Sequence, residues 1–516
     1  MIKFPQGMKR NISIVLILIT AIFLRIYLIL RDSVPFAYDM GRDLLWAKDI
    51  SFYHIPTLIG PAASIWGVYF GPLWYYFLSI PLLISGGHPL SAVFFTAATI
   101  ILTGALAYFL FFKYIGKQSA FILAIIILFS ATLISISTFA FHANLLPLLT
   151  LMTIYFCFLA IVNNPIYISL SFLFVSLMFH ADPAPAVVFT SIPMFVFWFF
   201  KLYKKNLKKV ILTSFLLYFL PFLPQIIFEF RNDFIQTRSL VAYFSGHNPS
   251  LSGQLPFFER ITNRLSTYYD FFTSSFSPNN NLFLLILIGL IIFGSYQIIK
   301  AKTNKNLKVL HQVNLISLVL SFAIFTFPIT VEIKYWYLFG LTIIFAFLIT
   351  DSVTVLRKFH ILTPIFLMAF LTINLKPHLL KDFKISQQDP ASLNNQLEAI
   401  DLINNDSTEN NYSVFIYTPS IYDHNFQYLF WWKGVAKKGE LPGLFAYLPN
   451  KPDYVRNKHL YAKNGKASDE IYLIIENSLE NEFYTEKNWL REFENYNLIW
   501  EKDINNALTV QKKSKK

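Results

Sequence analysis

Several ionised side chains stand close together in FAYDMGRDLLWAKDI, residues 36–50, directly after the first long apolar run of the chain. Asp39, Arg42, Asp43 and Trp46 recur at i, i+3, i+4 and i+7, a spacing that places them on one face of an α-helix. A carboxylate in such a row can accept a proton, and a guanidinium can bind an anionic group. The pattern fits equally a helix that Asp39 caps while Arg42 and Asp43 are merely solvated.

The other face of this helix carries Leu44, Leu45, Ala47 and Ile50, and we expect it to face lipid. Of the 516 residues, 55% are hydrophobic and only 14% are charged, and the mean hydropathy is +0.48. Soluble domains do not combine such values, so the chain is predicted to be a membrane protein with several spans. The polar row would then look across the membrane surface.

Eleven apolar runs approach the length that an α-helix needs to cross a bilayer. The run nearest the N-terminus follows Lys3, Lys9 and Arg10, and no small-residue cleavage site follows it, so we interpret it as an uncleaved first helix. The sequence therefore predicts an all-α bundle of about eleven transmembrane helices. The runs lie at 12–30, 90–112, 119–138, 144–162, 165–180, 184–200, 209–228, 282–299, 311–329, 335–351 and 360–375.

The stretch 71–85, GPLWYYFLSIPLLIS, is shorter and lies between Gly and Pro, which favours a juxtamembrane helix over a span. With this stretch on the surface and the N-terminus in the cytoplasm, the basic clusters at 201–209 and 300–308 also become cytoplasmic. Counting 71–85 as a span would place both clusters outside. This positive-inside bias also explains the net charge of +13, so no nucleic-acid partner is predicted.

The topology predicts a membrane domain over 1–375 with two large extracytoplasmic loops, 31–89 and 229–281. The polar tail, 376–516, contains the runs YSVFIYT, EIYLIIE and ALTVQKK, which indicate a small extracytoplasmic α/β domain. The single cysteine, Cys157, lies inside an apolar run, which rules out a disulfide framework or a CxxC metal site.

The order of these parts resembles the GT-C glycosyltransferases, and among them the bacterial relatives of protein O-mannosyltransferases and of the lipid A aminoarabinose transferase. In that family the first external loop carries an acidic residue and then a Lys-Pro-Pro or Gly-Pro-Leu element. Asp39 matches the acid, and Gly71-Pro72-Leu73 matches the second element. Residue 40 is Met where many members have Glu, so the second acid is either missing or replaced by Asp43 one turn on. The segment FLPQIIFEFRNDF at 222–234 adds to the likeness, which covers the chain to about residue 375.

The resemblance implies an integral-membrane, inverting glycosyltransferase that moves a sugar from a polyprenyl-phosphate donor to a protein, lipid or glycan acceptor outside the cytoplasm. Asp39 is then the expected catalytic base, which takes the proton of the acceptor. The leaving phosphate needs cationic stabilisation, for which Arg231, Arg42 and Lys334 are the candidates.

Further polar residues fall on the same side of the predicted topology and are expected to line the pocket. Each also has a structural explanation: a histidine at a span end is often interfacial, Asp182 before Pro183 can mark a turn, Glu229 can pair with Arg231, and Glu332 and Lys334 can mark the membrane boundary. These candidates are Asp43, His142, Asn144, His180, Asp182, Glu229, Glu332 and Tyr335.

No metal site is predicted, although some lipid-linked oligosaccharide transferases require a divalent metal, because the external loops contain no close-spaced acidic motif. The expected partners are the bilayer of the cytoplasmic membrane and a polyprenyl-linked sugar, and no cofactor is predicted. A transporter or flippase of lipid-linked sugars is the alternative, but such proteins often show repeated halves, which this sequence lacks. A receptor or scaffold that acts through the C-terminal domain is a third possibility.

Overall fold

The computed structural model describes residues 12–31, 34–245, 255–300, 304–327, 333–355, 361–381, 387–407, 412–419, 422–451, 453–462, 467–477 and 485–516. The apolar part of the chain is helical. In chain order its helices are α1 (Ile12–Arg31), α2 (Tyr38–Tyr53), α3 (Leu73–Ile84), α4 (Leu90–Ile115), α5 (Lys117–Phe129), α6 (Ala131–Ser135), α7 (Leu146–Val162), α8 (Ile168–Met178), α9 (Pro183–Phe199), α10 (Leu207–Phe219), α11 (Leu223–Arg231), α12 (Ile235–Phe244), α13 (Phe257–Phe276), α14 (Asn281–Lys300), α15 (Lys305–Thr326), α16 (Leu341–Val355) and α17 (Leu362–Leu379).

Each of the eleven apolar runs coincides with a helix or a pair of helices. Among the described residues, seven helical segments are long and apolar enough to cross a membrane, with α10 and α11 counted as one. Helices α5 and α6 make a further segment that is bent by 56°, and α8, α9 and α16 are shorter apolar helices. Helix α3 has only 12 residues, too few to cross a bilayer.

The connections between the helices gather at two ends of the bundle. At one end, Asn304 Nδ2 donates to the Tyr114 carbonyl over 3.2 Å, and Asn163 Nδ2 lies 3.4 Å from the Tyr114 hydroxyl. At the other end, the ring of His142 contacts the Ala181 carbonyl. Because α9 runs from this second end back to the first, the basic turn at 201–209 lies at the first end.

The C-terminal part folds into an α/β unit. In chain order its elements are α18 (Leu393–Asp406), β1 (Tyr412–Tyr417), α19 (His424–Trp431), β2 (Leu444–Ala446), β3 (Glu470–Glu476), α20 (Glu486–Arg491), β4 (Tyr496–Ile504) and β5 (Leu508–Lys515). The five strands form one sheet in the order β2-β1-β3-β5-β4. Strands β1, β2 and β3 are parallel, and β5 pairs antiparallel with both β3 and β4. The three strand-like runs of the tail form β1, β3 and β5.

The α/β unit packs directly on the first large loop. The Leu393 amide donates to the Val34 carbonyl over 2.9 Å, and the Tyr428 hydroxyl donates to the Gly87 carbonyl over 2.6 Å. Helix α2 lies between α3 and α19 and contacts both. The prediction that one face of α2 meets lipid is therefore wrong, since Leu44 and Ala47 are buried by protein.

Candidate active site

Helix α2 presents the polar row that the spacing predicted. It begins at Tyr38, with Ala37 as the N-cap residue, and ends before His54, which adopts a left-handed φ of 55°. Asp39 is thus inside the first turn, where a carboxylate is favoured by the helix dipole. The alternative in which Asp39 caps the helix does not hold.

Asp39, Arg42 and Asp43 form a connected ion cluster on this helix. Arg42 Nη1 lies 2.8 Å from Asp39 Oδ1, and Arg42 Nε and Nη2 donate to Asp43 Oδ1 over 2.9 and 2.8 Å. The exposed fraction of the side chain is 50% for Asp39, 15% for Arg42 and 2% for Asp43. The cluster therefore runs from a buried acid to an accessible one, and the alternative of a solvated Asp43 is wrong.

Asp43 anchors the guanidinium and is itself held by a neighbouring helix. The indole Nε1 of Trp74, in the first turn of α3, donates to Asp43 Oδ2 over 2.8 Å. Burial raises the pKa of Asp43 to about 6, although the neighbouring Arg42 acts in the opposite direction. Asp43 thus fixes the direction of Arg42, and through Arg42 that of the Asp39 carboxylate.

A cavity of about 510 Å³ opens beside this cluster. The ionisable side chains Asp39, Arg42, His142 and Asp182 line it, although they come from three distant parts of the chain. Within the part of the chain that the structure describes, Arg42 is the one Arg or Lys side chain in the wall. Aromatic rings form much of the remaining wall: Phe70, Phe139, Phe141, Tyr335, Trp336, Tyr337 and Phe339.

His142 and Asp182 both line the cavity, and His142 contacts the residue that directly precedes Asp182. The His142 Nδ1 contacts the Ala181 carbonyl, and its ring packs edge-on against Phe70 at 4.8 Å. The Asp182 side chain caps α9, because Oδ1 accepts from the Ala184 amide over 3.1 Å. Burial raises the pKa of Asp182 to about 7. The turn interpretation of Asp182 thus holds, and the residue also lines the cavity.

Asn144 supports the wall without lining it. Its buried amide donates to the carbonyls of Ile136 and Phe139, each over 2.9 Å. Tyr335 lines the cavity, and its hydroxyl lies 3.1 Å from those of both Thr132 and Ser274. Lys334 is exposed, directly precedes Tyr335 in the chain and does not line the cavity.

The Gly71-Pro72-Leu73 element is held in place by His180. His180 Nδ1 accepts from the Leu73 amide over 3.3 Å, and Nε2 contacts the Pro221 carbonyl over 3.0 Å. A Cβ on Gly71 would lie only 2.0 Å from His180 Nδ1, so the close approach requires glycine. His180 therefore does not line the cavity; its two ring nitrogens serve the start of α3 and the end of α10.

Residues 60–70 of the first large loop form another part of the cavity wall. Their two arms are joined by backbone hydrogen bonds from Gly60 to Phe70 and from Phe70 to Pro61, and they contribute Ala62, Ala63 and Ser64 to the wall. Helices α11 and α12 hold this segment: the Tyr69 amide donates to Gln236 Oε1 over 2.9 Å, and Gln225 Nε2 donates to the Tyr69 carbonyl over 3.1 Å.

Arg231 and Glu229 do not line the cavity. Arg231 is exposed at the end of α11. Glu229 accepts from the Gln236 and Thr237 amides over 3.0 and 2.9 Å, which holds the first turn of α12. Glu332 lies outside the described residues. Among the residues that are described, no group of three His, Cys, Asp or Glu side chains is arranged to hold a metal ion.

Trp74 was not recognised from the sequence as a site residue, although it stands in the quoted GPLWYYFL stretch. Its role depends on the contact with Asp43, 31 residues earlier in the chain, which no local pattern reports.

No protein-family model and no curated protein sequence matches this chain. Two solved structures of ArnT from Cupriavidus metallidurans are similar to it along almost the full length. The one bound to undecaprenyl phosphate has a TM-score of 0.58 at 9% identity, and the apo one has a TM-score of 0.57 at 10% identity. Each match covers 97% of this chain and 98% of the other. The chain therefore has the membrane fold of these ArnT structures, with a small five-stranded C-terminal α/β unit.

Proposed function

We propose that this protein is an integral-membrane, inverting glycosyltransferase that transfers a sugar from a polyprenyl-phosphate donor to an acceptor outside the cytoplasm. The observation that carries the proposal is the half-exposed Asp39 carboxylate, held by Arg42 at the wall of a 510 Å³ cavity. The fold supports it, because a protein of the same fold has been crystallised with undecaprenyl phosphate.

Asp39 acts as the general base in this proposal. An acceptor hydroxyl or amide that enters the cavity loses its proton to the carboxylate while it attacks the anomeric carbon of the donor sugar. The bond from that carbon to the phosphate oxygen breaks, and its electron pair leaves with the polyprenyl phosphate. Attack from the face opposite the leaving group inverts the configuration at the anomeric carbon.

Arg42 and Lys334 are the cations we propose for the leaving phosphate. Arg42 lines the cavity and is fixed by Asp43, so its charge needs little rearrangement to meet the charge that develops on the phosphate. Lys334 is exposed and directly precedes the cavity-lining Tyr335 in the chain. Arg231 is the weakest candidate, because its exposed position lies away from the cavity wall.

The cavity is proposed to open on the extracytoplasmic side of the cytoplasmic membrane. It lies at the end of the bundle opposite the basic turn at 201–209, and such turns are retained in the cytoplasm. At this surface a lipid-borne donor and a water-borne acceptor can both reach Asp39.

A transfer assay tests the proposal. Purified protein in detergent is incubated with a panel of polyprenyl-phosphate-linked sugars and candidate acceptors, and products are identified by mass spectrometry. We expect release of polyprenyl phosphate together with a product of inverted anomeric configuration. A flippase would form no product in detergent, where there are no compartments to connect. Absence of product with every donor would refute the proposal.

A further inference from the structure

Lys48, near the end of α2, is a buried cation that the proposed chemistry does not use. Its side chain is fully buried, and Nζ lies 2.5 Å from Asp49 Oδ1. Three aromatic rings surround the ammonium group: those of Tyr461, Tyr53 and Trp431, with centroids at 4.7, 5.1 and 5.8 Å. These distances are within the range of cation–π attraction.

The groups that compensate this buried charge come from two parts of the protein. Tyr53 and Asp49 belong to α2, whereas Trp431 and Tyr461 belong to the C-terminal domain. The Trp431 indole donates to the Tyr53 hydroxyl over 3.0 Å, and Asn457 Nδ2 donates to Asp49 Oδ2 over 2.7 Å. The environment of Lys48 is therefore complete only when the domain is docked on α2.

A second contact joins the domain to the other half of α2. A Cβ on Gly41 would lie 2.3 Å from the backbone nitrogen of Asn425 and 2.4 Å from its Cα, so the first turn of α19 rests directly on the backbone of α2. Gly41 and Lys48 are seven residues apart, which places them on the same face of the helix. Asp39 and Arg42 flank Gly41 and line the cavity.

We propose that the C-terminal domain sets the position of α2 in the active site, and that Lys48 and Gly41 are the positioning residues through which it acts. The inference rests on the proposed function, because it gives these residues a role in presenting Asp39. In this arrangement the domain holds the helix that carries Asp39. Lys48 itself contacts neither donor nor acceptor.

The geometry of α2 gives the expected sensitivity. Nine residues separate Asp39 from Lys48, so their Cα atoms are about 13 Å apart along the helix axis. A tilt of about 5° about the Lys48 end would move Asp39 by about 1 Å, and a shift of that size can reduce a reaction rate about 10²-fold. An apolar side chain at position 48 could hold α2 against the domain as strongly. A buried ammonium group with one ion pair and three rings around it allows the helix fewer alternative positions.

Lys48→Met tests the proposal, since it removes the charge and retains most of the side-chain length. We expect kcat for sugar transfer to fall about 10²-fold while each protein molecule still binds one undecaprenyl phosphate. The pH profile should keep its shape, because Asp39, Arg42 and Asp43 sit on one helix and move together. Partial unfolding would instead lower the binding stoichiometry in step with the rate.

Lys512→Met is the matched control. Lys512 lies on β5, pairs with Asp406 and Glu470 at 2.8 and 3.2 Å, and has a side chain that is 13% exposed, so the same change removes two salt bridges that lie within the domain. We expect this variant to retain wild-type transfer. Equal rates for Lys48→Met and Lys512→Met would overturn the proposal.

Gly41→Ala provides an independent test should Lys48→Met fail to fold. Alanine favours helix more than glycine does, so α2 itself is not weakened, and only its contact with α19 is disturbed. We expect transfer to fall at least tenfold and amides of residues 38–53 to exchange with deuterium about tenfold faster. Unchanged exchange and unchanged transfer would contradict the proposal.

If the wild type transfers no sugar, the proposed function fails, whereas the exchange experiment still tests the contact between α2 and α19.

Discussion

Replacing Asp39 by Asn separates the chemistry of this residue from its structural role. The two side chains have the same shape, and the remaining amide oxygen can still accept from Arg42 Nη1, which lies 2.8 Å from Asp39 Oδ1. Because half of the Asp39 side chain is exposed, loss of this ion pair should change the free energy of unfolding by no more than about 1 kcal/mol. The variant should therefore fold and insert as the wild type does.

The effect on the rate should be large. An amide cannot take the proton of the acceptor, and loss of a general base costs about 10²- to 10⁴-fold in rate. At about 1.4 kcal/mol per tenfold change, this corresponds to about 3 to 6 kcal/mol of transition-state stabilisation. The assay is single-turnover transfer from a polyprenyl-phosphate-linked sugar, with binding of undecaprenyl phosphate measured on the same samples.

Asp233→Asn is the matched control, because Asp233 is an exposed carboxylate at the same end of the bundle and does not line the cavity. We expect this variant to keep wild-type activity. Transfer by Asp39→Asn within threefold of the wild type would refute the reasoning, since another group would then have to accept the proton. Loss of donor binding together with activity would instead assign Asp39 to the binding of substrate.

Other residues of the site give further predictions. Since the pKa of Asp43 is raised to about 6, mainly by burial, lowering the pH through 6 should protonate it, weaken its hold on Arg42 and reduce activity, and Asp43→Asn should remove this acidic limb from the pH–rate profile. His180→Ala should lower the free energy of unfolding by about 1 to 3 kcal/mol, because the Leu73 amide loses its hydrogen-bond acceptor. Its effect on kcat, measured on the folded fraction, should be smaller. Arg231→Ala should retain transfer within about threefold, whereas Arg42→Ala should lose at least tenfold in the same assay.

The sequence was sufficient for the elements of the membrane domain. Each of the eleven apolar runs found by hydropathy contains a helix or a pair of helices, because an unpaired backbone is too costly in lipid and an apolar run must therefore be helical. The spacing of Asp39, Arg42 and Asp43 correctly indicated one helical face, since periodicity depends only on local geometry. The strands of the C-terminal sheet were likewise visible as short runs of β-branched and aromatic residues.

Only the tertiary structure decided which polar residues share a site. His142 and His180 both stand at span ends, yet His142 lines the cavity while His180 is covered by Gly71 and bonded to the start of α3. The apolar face of α2 is predicted to meet lipid, but the packing of α2 between α3 and α19 buries it. These outcomes depend on which distant segments pack together. Periodicity and composition describe only neighbouring residues, so they do not report such contacts.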